Sequence, residues 1–406
     1  MRGRSVLVAG AALAVALAGP PVAQAAPSLP PAAPKPTAHT NSPAKPDPHP
    51  PLGGIGPDGQ PVGGPRLLSR GLVLPAGAPR LPKHLTAHAW LIADLDTGTV
   101  LAARDPHGRY QPASILKALA ALVLLPELPG SRVVTVHASA ANVEGSAVGL
   151  VAGGRYRVDT LFKAMLLMSG NDAAMALTEA VGGAPKTVAA MNQKILALGG
   201  YDTFVEHPSG LDGWRQLTSA YDMALVLRAV ANTPRFVAYD RTFMTYLPRQ
   251  KVHGHKYRRV PLYNQSENFL AGVKGAVLAK TGYTDAARHT YMCVAKRGGH
   301  RLEIVFLRAE RVPLDQYQQA AALLAWASRL PAGSSVGRLE GPVATIPPAP
   351  PTSPSARASS APAAALPVAP SGRSGMDTGL ATATVGAAVL LGVGGLLLRR
   401  RRRVAN

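Results

Sequence analysis

Ser114-Ile115-Leu116-Lys117 opens the most informative stretch of this sequence, an apolar run that continues to Leu125. A lysine three residues after a serine lies on the same face of a helix, so the two side chains are close by construction. Because the run is almost wholly apolar, it predicts a helix buried in a domain core. Burial lowers the pKa of a lysine, so Lys117 could take the proton from the Ser114 hydroxyl and make it a nucleophile. The alternative is a lysine whose amine reaches the surface.

Ser169-Gly170-Asn171 is the second string that could carry chemistry. It follows a predicted helix over residues 160–168, for which Asp159 is a suitable N-cap. Ser169 could pass a proton between a nucleophile and a leaving group, and Asn171 could donate to a substrate carbonyl and accept from Lys117. An ordinary turn is the alternative, because Ser, Gly and Asn are common turn residues.

Lys280-Thr281-Gly282, continuing into Tyr283-Thr284, is the third string. It lies just before a predicted hairpin with strands over residues 291–296 and 301–308 and a turn over residues 297–300. On a strand edge it offers a cation, a hydroxyl and, at the glycine, close approach of a ligand to the backbone.

Taken together and in this order, the three strings resemble those of penicillin-binding D-alanyl-D-alanine carboxypeptidases of the low-molecular-mass serine type. The similarity covers about residues 89–330 and includes the stretches over residues 92–98 and 207–212. It implies a mixed α/β (α+β) fold like that of β-lactamases and DD-peptidases. In this fold an antiparallel sheet is covered by helices and an all-helical lobe lies beside it. The sequence agrees, since residues 114–231 are mostly helical in pattern, strands return over residues 273–307, and a last helix is predicted near residues 314–330.

The resemblance also implies catalytic roles. Ser114 would attack the carbonyl between the last two D-alanines of a peptidoglycan stem pentapeptide, and Lys117 would accept its proton. Ser169 and Asn171 would complete the proton relay and the substrate contacts. The resulting acyl-enzyme on Ser114 would be hydrolysed by water, and penicillin would bind covalently to the same serine.

The substrate-binding residues implied by the resemblance lie in the third string. Lys280 would hold the terminal carboxylate, helped by the hydroxyls of Thr281 and Thr284. Gly282 would permit close approach, and the backbone N–H of Tyr283 would join that of Ser114 in the oxyanion hole. An arginine that assists carboxylate binding in some members has two candidate counterparts, Arg308 and Arg311.

Two other functions stay open at this point. A class A β-lactamase uses the same three strings with a later glutamate, and Glu206 lies at a comparable place in the sequence. However, Gly210 stands where the β-lactamase pattern has an asparagine, so Glu206 is interpreted as an ordinary loop residue. A non-catalytic, membrane-anchored wall-binding protein is the second alternative.

The segments outside the domain predict its location. Residues 1–25 are typical of a secretory signal peptide, and residues 26–80 and 331–378 are rich in Pro, Ala, Gly and Ser, which predicts disordered linkers. Residues 81–330 form the predicted catalytic domain. Residues 379–398 are uncharged and long enough to span a bilayer, and residues 399–406 begin with five arginines, which predicts a cytoplasmic tail. The predicted protein is a single-pass membrane protein with its catalytic domain outside the cell.

Charge and cysteine content limit the partners. The net charge of +21 suits an anionic cell wall better than nucleic acid, because part of it lies in the predicted signal and tail. A basic patch of five residues could bind anionic wall polymers or be a solvated loop; its members are Arg249, Lys251, Lys256, Arg258 and Arg259. The single Cys293 allows no intramolecular disulfide. No metal and no cofactor is implied.

Overall fold

The computed structural model of the protein describes residues 53–341. The predicted signal peptide, the spanning segment over residues 379–398 and the basic tail lie outside the described residues, as do the outer parts of both predicted linkers. Within residues 53–341, no helix combines the length and the apolarity that a membrane crossing requires.

Residues 53–341 contain both strands and helices. The strands are β1 (Leu72–Val73), β2 (Ala89–Asp94), β3 (Thr99–Arg104), β4 (Val133–Thr135), β5 (Arg155–Arg157), β6 (Met244–Leu247), β7 (Gln250–Val252), β8 (His255–Tyr257), β9 (Val260–Tyr263), β10 (Ala276–Thr284), β11 (Arg288–Arg297), β12 (His300–Ala309) and β13 (Gly337–Arg338). The helices are α1 (Lys117–Glu127), α2 (Ala138–Ala141), α3 (Val158–Leu167), α4 (Asn171–Glu179), α5 (Ala184–Ala197), α6 (Ala220–Ala231), α7 (Pro234–Asp240), α8 (Glu267–Gly272) and α9 (Gln316–Ala327). Short 3-10 helices occupy Pro65–Leu68 and Ala113–Leu116.

An antiparallel sheet with the strand order β1–β3–β2–β12–β11–β10 organises the domain, and β13 also pairs with β3. The hairpin predicted around residues 96–98 is confirmed as β2 and β3, and the Asp94 carboxylate accepts from the backbone N–H groups of Asp96 and Thr97 in its turn. The later predicted hairpin is confirmed as β11 and β12, which turn at Gly298 and Gly299. The third string therefore lies on β10, an edge strand, beside a long central hairpin.

Side chains on the two faces of the sheet enter different cores. Met292 and Val294 of β11 pack in the same cluster as the buried side chains of α1, α3, α4 and α6. Their neighbours Tyr291 and Cys293 point the other way, into a smaller cluster with α9. This alternation is what a strand buried on both sides requires. The predicted mixed fold, an antiparallel sheet with helices, is confirmed.

The start of α3 differs from the prediction. The helix begins at Val158, and Arg157 occupies the N-cap position. The prediction of Asp159 as the N-cap is therefore wrong. Asp159 lies in the first helical turn, where its carboxylate accepts hydrogen bonds from Arg157 and Tyr239.

The N-terminal boundary of the domain also differs. Residues 53–80, predicted as linker, pack on the domain: β1 pairs with β3, and Leu67 is fully buried. The Gly54 N–H donates to the Asp202 carboxylate at 2.8 Å. The anchors are single residues separated by Pro and Gly, so they leave no periodic pattern from which to predict structure.

The C-terminal boundary lies beyond the predicted residue 330. The Arg338 N–H, in β13, donates to the Gly63 carbonyl at 3.0 Å, and the Gly63 N–H donates to the Glu340 carboxylate at 3.2 Å. Leu339 is buried between these contacts. The two ends of the described chain therefore meet at the β3 side of the sheet, and β10 forms its opposite edge.

A buried carboxyl group on β12 predicts an unusual dependence of stability on pH. Glu303 is 0% exposed, and within residues 53–341 neither of its carboxylate oxygens has a hydrogen-bond partner. Burial raises its pKa well above the usual range, against the opposing influence of Arg228 and Arg301. The folded state therefore holds a proton that the unfolded chain releases, so stability is lost as pH rises above the unfolded pKa of about 4.3.

We expect Glu303→Leu to raise the free energy of unfolding at pH 8 by about 1–3 kcal/mol, because it removes an unsatisfied buried polar group and keeps a similar volume. Urea unfolding at pH 5 and pH 8 measures this, and the gain over the wild type is expected to be larger at pH 8. Glu267→Leu, at an exposed position of α8, is the control and should change stability little. A Glu303→Leu variant less stable than the wild type at pH 8 would contradict the account.

Candidate active site

Ser114 lies at a junction between two kinds of helix. It belongs to the 3-10 helix Ala113–Leu116, and α1 begins at Lys117. Ala113, directly before it, has a φ of 48°, a left-handed conformation that is unfavourable for a residue with a Cβ atom. The Thr290 hydroxyl donates to the Pro112 carbonyl at 2.9 Å and so ties this turn to β11. The strained turn presents a half-exposed Ser114 beside the sheet edge.

Lys117 is buried and surrounded by acceptors. Its Nζ atom lies 2.8 Å from Ser114 Oγ, 2.7 Å from Asn171 Oδ1 and 2.6 Å from the Ser209 carbonyl oxygen. Burial, assisted by the positive charge of Lys280, holds the pKa of Lys117 well below the usual lysine range. A neutral amine next to a serine hydroxyl can act as a general base.

Ser169 and Asn171 are brought to the same place by the turn between α3 and α4. Ser169 has a φ of 59°, and Asn171 is the first residue of α4. The Asn171 side chain accepts from Lys117 and donates through Nδ2 to the Glu144 carbonyl at 2.7 Å. These two contacts fix the orientation of its amide group.

Lys280 approaches from β10 and completes the polar cluster. It is 1% exposed, and its Nζ donates to Ser169 Oγ at 3.2 Å and to the Thr281 carbonyl at 2.7 Å. Burial lowers the pKa of Lys280 to about 8, and the Asp240 carboxylate opposes the shift. Strings that lie far apart in the sequence thus meet around two buried lysines.

Gly282 lets β10 come close to the nucleophile. A Cβ atom added there would lie 2.8 Å from the Ser114 backbone nitrogen and would overlap the Thr290 hydroxyl. Tyr283 follows, with a side chain that is 48% exposed and a hydroxyl that donates to Asp285 at 3.0 Å.

Thr284, the last residue of the third string, makes contacts other than the predicted one with a substrate carboxylate. The Thr284 hydroxyl donates to Asp212 Oδ1 at 2.6 Å and accepts from the Ala287 N–H at 3.0 Å. It therefore ties β10 to the loop around residue 212 and does not line the cavity at Ser114. The structure brings together Ser114, Lys117, Ser169, Asn171, Lys280, Thr281, Gly282 and Tyr283, and leaves Thr284 outside the group.

Sequence reasoning missed two residues that shape the site. The Ser209 carbonyl is an acceptor for Lys117, and Gly210 has a φ of 85°. A Cβ atom at Gly210 would overlap the carbonyl oxygen of Ala113, so the loop can touch the nucleophile turn only because this residue is glycine. Residues 207–212 resemble a loop of the family, and the glycine within this stretch is the sequence signal for the contact.

A cavity of about 450 Å³ opens at Ser114. Its walls come from the nucleophile turn, the α3–α4 turn, the residues around the start of α8, β10, β11 and the start of α9. The lining residues are Ser114, Ser146, Ser169, Gln265, Ser266, Asn268, Phe269, Thr281, Gly282, Tyr283, His289, Tyr291, Arg311, Asp315, Gln316 and Tyr317. This volume is within the usual range for small-molecule sites, about 300–1,000 Å³.

Only one of the two arginines that are candidates for carboxylate binding lines this cavity. Arg311 lines it, with its Nε atom 2.6 Å from Asp315 Oδ1, and Arg308 does not. Glu206 is also absent from the lining, and its carboxylate accepts from the Arg215 N–H at 2.8 Å. This contact is consistent with Glu206 as a loop residue.

The profile of the D-alanyl-D-alanine carboxypeptidase family matches residues 76–311. The chain belongs to this family. Within the D-alanyl-D-alanine carboxypeptidases, DacB2 of Mycobacterium tuberculosis is 38% identical over 272 residues, which are 66% of this chain and 90% of that protein. DacF of Bacillus subtilis is 29% identical over 247 residues, 59% of this chain and 62% of that protein.

Solved structures of related proteins have a similar fold. A D-alanyl-D-alanine carboxypeptidase from Mycobacterium tuberculosis H37Rv superposes with a TM-score of 0.60 at 36% identity, covering 66% of this chain and 99% of that one. The DD-transpeptidase of Streptomyces K15 has a TM-score of 0.58 at 21% identity, covering 62% of this chain and 100% of that one. At that identity the second likeness shows a shared fold alone.

Proposed function

We propose that this D-alanyl-D-alanine carboxypeptidase removes the terminal D-alanine of peptidoglycan stem pentapeptides through an acyl-enzyme on Ser114. The observation that carries the proposal is the buried Lys117 amine, 2.8 Å from the Ser114 hydroxyl and with a lowered pKa. A serine becomes a useful nucleophile when such a base adjoins it.

In the first step the neutral Lys117 amine takes the proton of the Ser114 hydroxyl while Oγ forms a bond to the carbonyl carbon between the two D-alanines. The carbonyl oxygen becomes an oxyanion, which the backbone N–H groups of Ser114 and Tyr283 stabilise. Donors of this kind each lower the barrier by about 3 kcal/mol in acyl transfer.

In the second step the carbon–nitrogen bond breaks and D-alanine leaves. Ser169 donates its hydroxyl proton to the departing nitrogen and recovers a proton from the charged Lys117. A water molecule then attacks the Ser114 ester and gives up a proton to Lys117. As the bond between the acyl carbon and Oγ breaks, Lys117 returns this proton to Ser114 Oγ, and the shortened peptide is released with both residues restored. Asn171 holds the lysine amine in place through its amide oxygen.

The substrate carboxylate is assigned to the part of the site that β10 forms beside Ser114. Lys280 supplies a buried cation beside the cavity, and Thr281 and Arg311 line the cavity with a hydroxyl and a second cation. Thr284 is left out of this set because it does not line the cavity and its hydroxyl contacts Asp212 and Ala287. A β-lactam would be attacked by the same oxygen, with opening of its ring and formation of a stable ester.

The cellular setting is part of the proposal. Residues 1–25 would direct export and be cleaved, residues 379–398 would hold the protein in the membrane, and the catalytic domain would lie outside, facing peptidoglycan. The apolar and basic composition of these segments supports the arrangement. The net charge of +21 suits an anionic wall.

Incubation of the full-length protein with a D-Ala-D-Ala peptide and with a fluorescent penicillin tests the function. D-alanine release with a long-lived label is the expected result. Rapid turnover of the penicillin would indicate a β-lactamase, and a stable label without D-alanine release would indicate a wall-binding role.

Gly282→Ala is expected to lower kcat/KM for D-alanine release by about 100-fold, because its Cβ atom would push β10 away from Ser114 and misplace the reacting groups. Steady-state kinetics with the D-Ala-D-Ala peptide measure the effect. Gly272→Ala, at the end of α8 with no atom within 4 Å of its added Cβ, is the matched control and should keep full activity. Equal activity of the two variants would show that the close approach at Gly282 is not needed.

A further inference from the structure

A basic arm, residues 241–263, connects α7 to α8. It contains two small antiparallel pairs, β6 with β9 and, at its tip, β7 with β8. Residues 241–266 contain no Asp or Glu, although the arm carries several Lys and Arg residues. Such a one-sided composition gives the arm a strong positive field.

The register of the tip places its cations on one face. Lys251 lies directly opposite Lys256 in the β7–β8 pair. Side chains two residues apart on a strand point the same way. Arg249 directly precedes β7 and Arg258 directly follows β8, so the alternation, continued by one residue on each strand, places both on that face. We call these four residues, Arg249, Lys251, Lys256 and Arg258, the basic ladder.

Ion pairs within residues 53–341 do not neutralise the positive charges of the basic ladder. All four side chains are exposed, and within the part of the chain that the structure describes none of them forms an ion pair. Like charges directly opposite each other in a sheet are destabilising. An anion placed along this face would relieve the repulsion.

The spacing of the basic ladder suits a linear polymer. The two rungs lie two residues apart along each strand, which is about 7 Å, and the cations of one rung are about 5 Å apart at Cβ. A chain with an anionic group at each repeat can contact successive rungs, whereas a single small anion can contact one.

The root of the arm carries exposed side chains of a different kind. Met244 and Tyr263 form a pair in β6–β9 that is 44% and 55% exposed. Arg259 stacks over the Tyr246 ring at 3.4 Å, so a cation and flat apolar side chains lie together.

We propose that the basic arm is a docking surface for a linear phosphodiester polyanion of the cell envelope. The site is separate from the cavity at Ser114 and holds the enzyme on the wall independently of its peptide substrate. A polymer is favoured over a lipid surface because the cations form a narrow two-rung ladder on one ribbon.

The test measures binding of the purified full-length protein to polyglycerol phosphate as a function of salt concentration. In the ladder variant all four residues of the basic ladder are changed to Gln. The control variant, Arg80→Gln, Lys83→Gln, Lys186→Gln and Arg329→Gln, removes the same number of arginines and lysines from exposed positions elsewhere. The ladder variant is expected to bind at least ~10-fold more weakly, with a salt slope shallower by about 3, since each phosphate contact contributes about 0.7–0.9 to that slope.

Equal losses in the ladder and control variants would overturn the proposal, because they would show attraction by net charge alone. Tighter binding to vesicles containing an anionic phospholipid than to the polymer would also overturn it and indicate a membrane surface. Equal binding to polyglutamate would remove the assignment to phosphodiesters. Release of D-alanine from a small soluble peptide is expected to be unchanged in the ladder variant, so the binding result does not depend on the catalytic proposal.

Discussion

Ser114→Ala is expected to abolish covalent labelling by a fluorescent penicillin and to lower D-alanine release by roughly 10⁴-fold or more. The reason is that no ester can form without Oγ, while the cluster around Lys117 and the cavity keep their shape. Labelling on a gel and D-alanine release from a D-Ala-D-Ala peptide measure the two effects. Ser328→Ala, at the exposed end of α9, is the control and should label and turn over as the wild type does.

Two results would contradict this expectation. Retained label in Ser114→Ala would place the nucleophile elsewhere. Loss of label with retained release of D-alanine would show that the peptide reaction does not pass through an acyl-enzyme on this serine.

Lys117→Met is expected to slow acylation by about 10³-fold, within the range of general-base contributions. Methionine fills much of the same space without an amine, so Ser114 loses its base and the Asn171 and Ser209 acceptors lose their shared donor. Stopped-flow acylation by penicillin measures the rate. Lys194→Met provides a control, since the pKa of Lys194 in α5 is also lowered by burial, but this half-buried lysine does not belong to the cluster around Ser114.

The Lys117→Arg variant tests whether Lys117 acts as a base that accepts a proton or only as a positive charge. Arginine keeps the positive charge but stays protonated, so it is expected to acylate as slowly as the methionine variant. For the wild type, the acylation rate is expected to rise with pH as Lys117 loses its proton, at a pH well below the usual lysine range. Fast acylation by Lys117→Arg would show that charge, and not proton transfer, is the role of this residue.

The sequence predicts the local parts of the site well, because they depend on short spacings. Ser114 and Lys117 are three residues apart, and any tight helical turn brings them together; the structure uses a 3-10 turn followed by α1. Burial of Lys117 could be predicted from the apolar run around it. The β11–β12 hairpin could be predicted from its glycines and apolar strands.

Contacts between distant segments could not be predicted in the same way. The Ser209 carbonyl reaches Lys117 through a loop whose path depends on Gly210. The Thr284 hydroxyl turns to Asp212, a choice set by tertiary packing. The N-terminal segment is held by isolated anchors such as Leu67 and Gly54, which a composition rich in Pro and Gly conceals.

Segments near the two ends of the described residues, 53–341, meet at Gly63, Arg338 and Glu340, and this contact has a mechanical consequence. If residues 379–398 hold the protein in a membrane, as proposed, tension on the C-terminal side would enter the domain at Glu340 and Arg338 and pass to Gly63. The load then falls on the short β1 and β13 pairings with β3, at the sheet edge opposite β10. These short pairings would separate first. β10, the strand proposed to align the substrate, would then not be extended by the load.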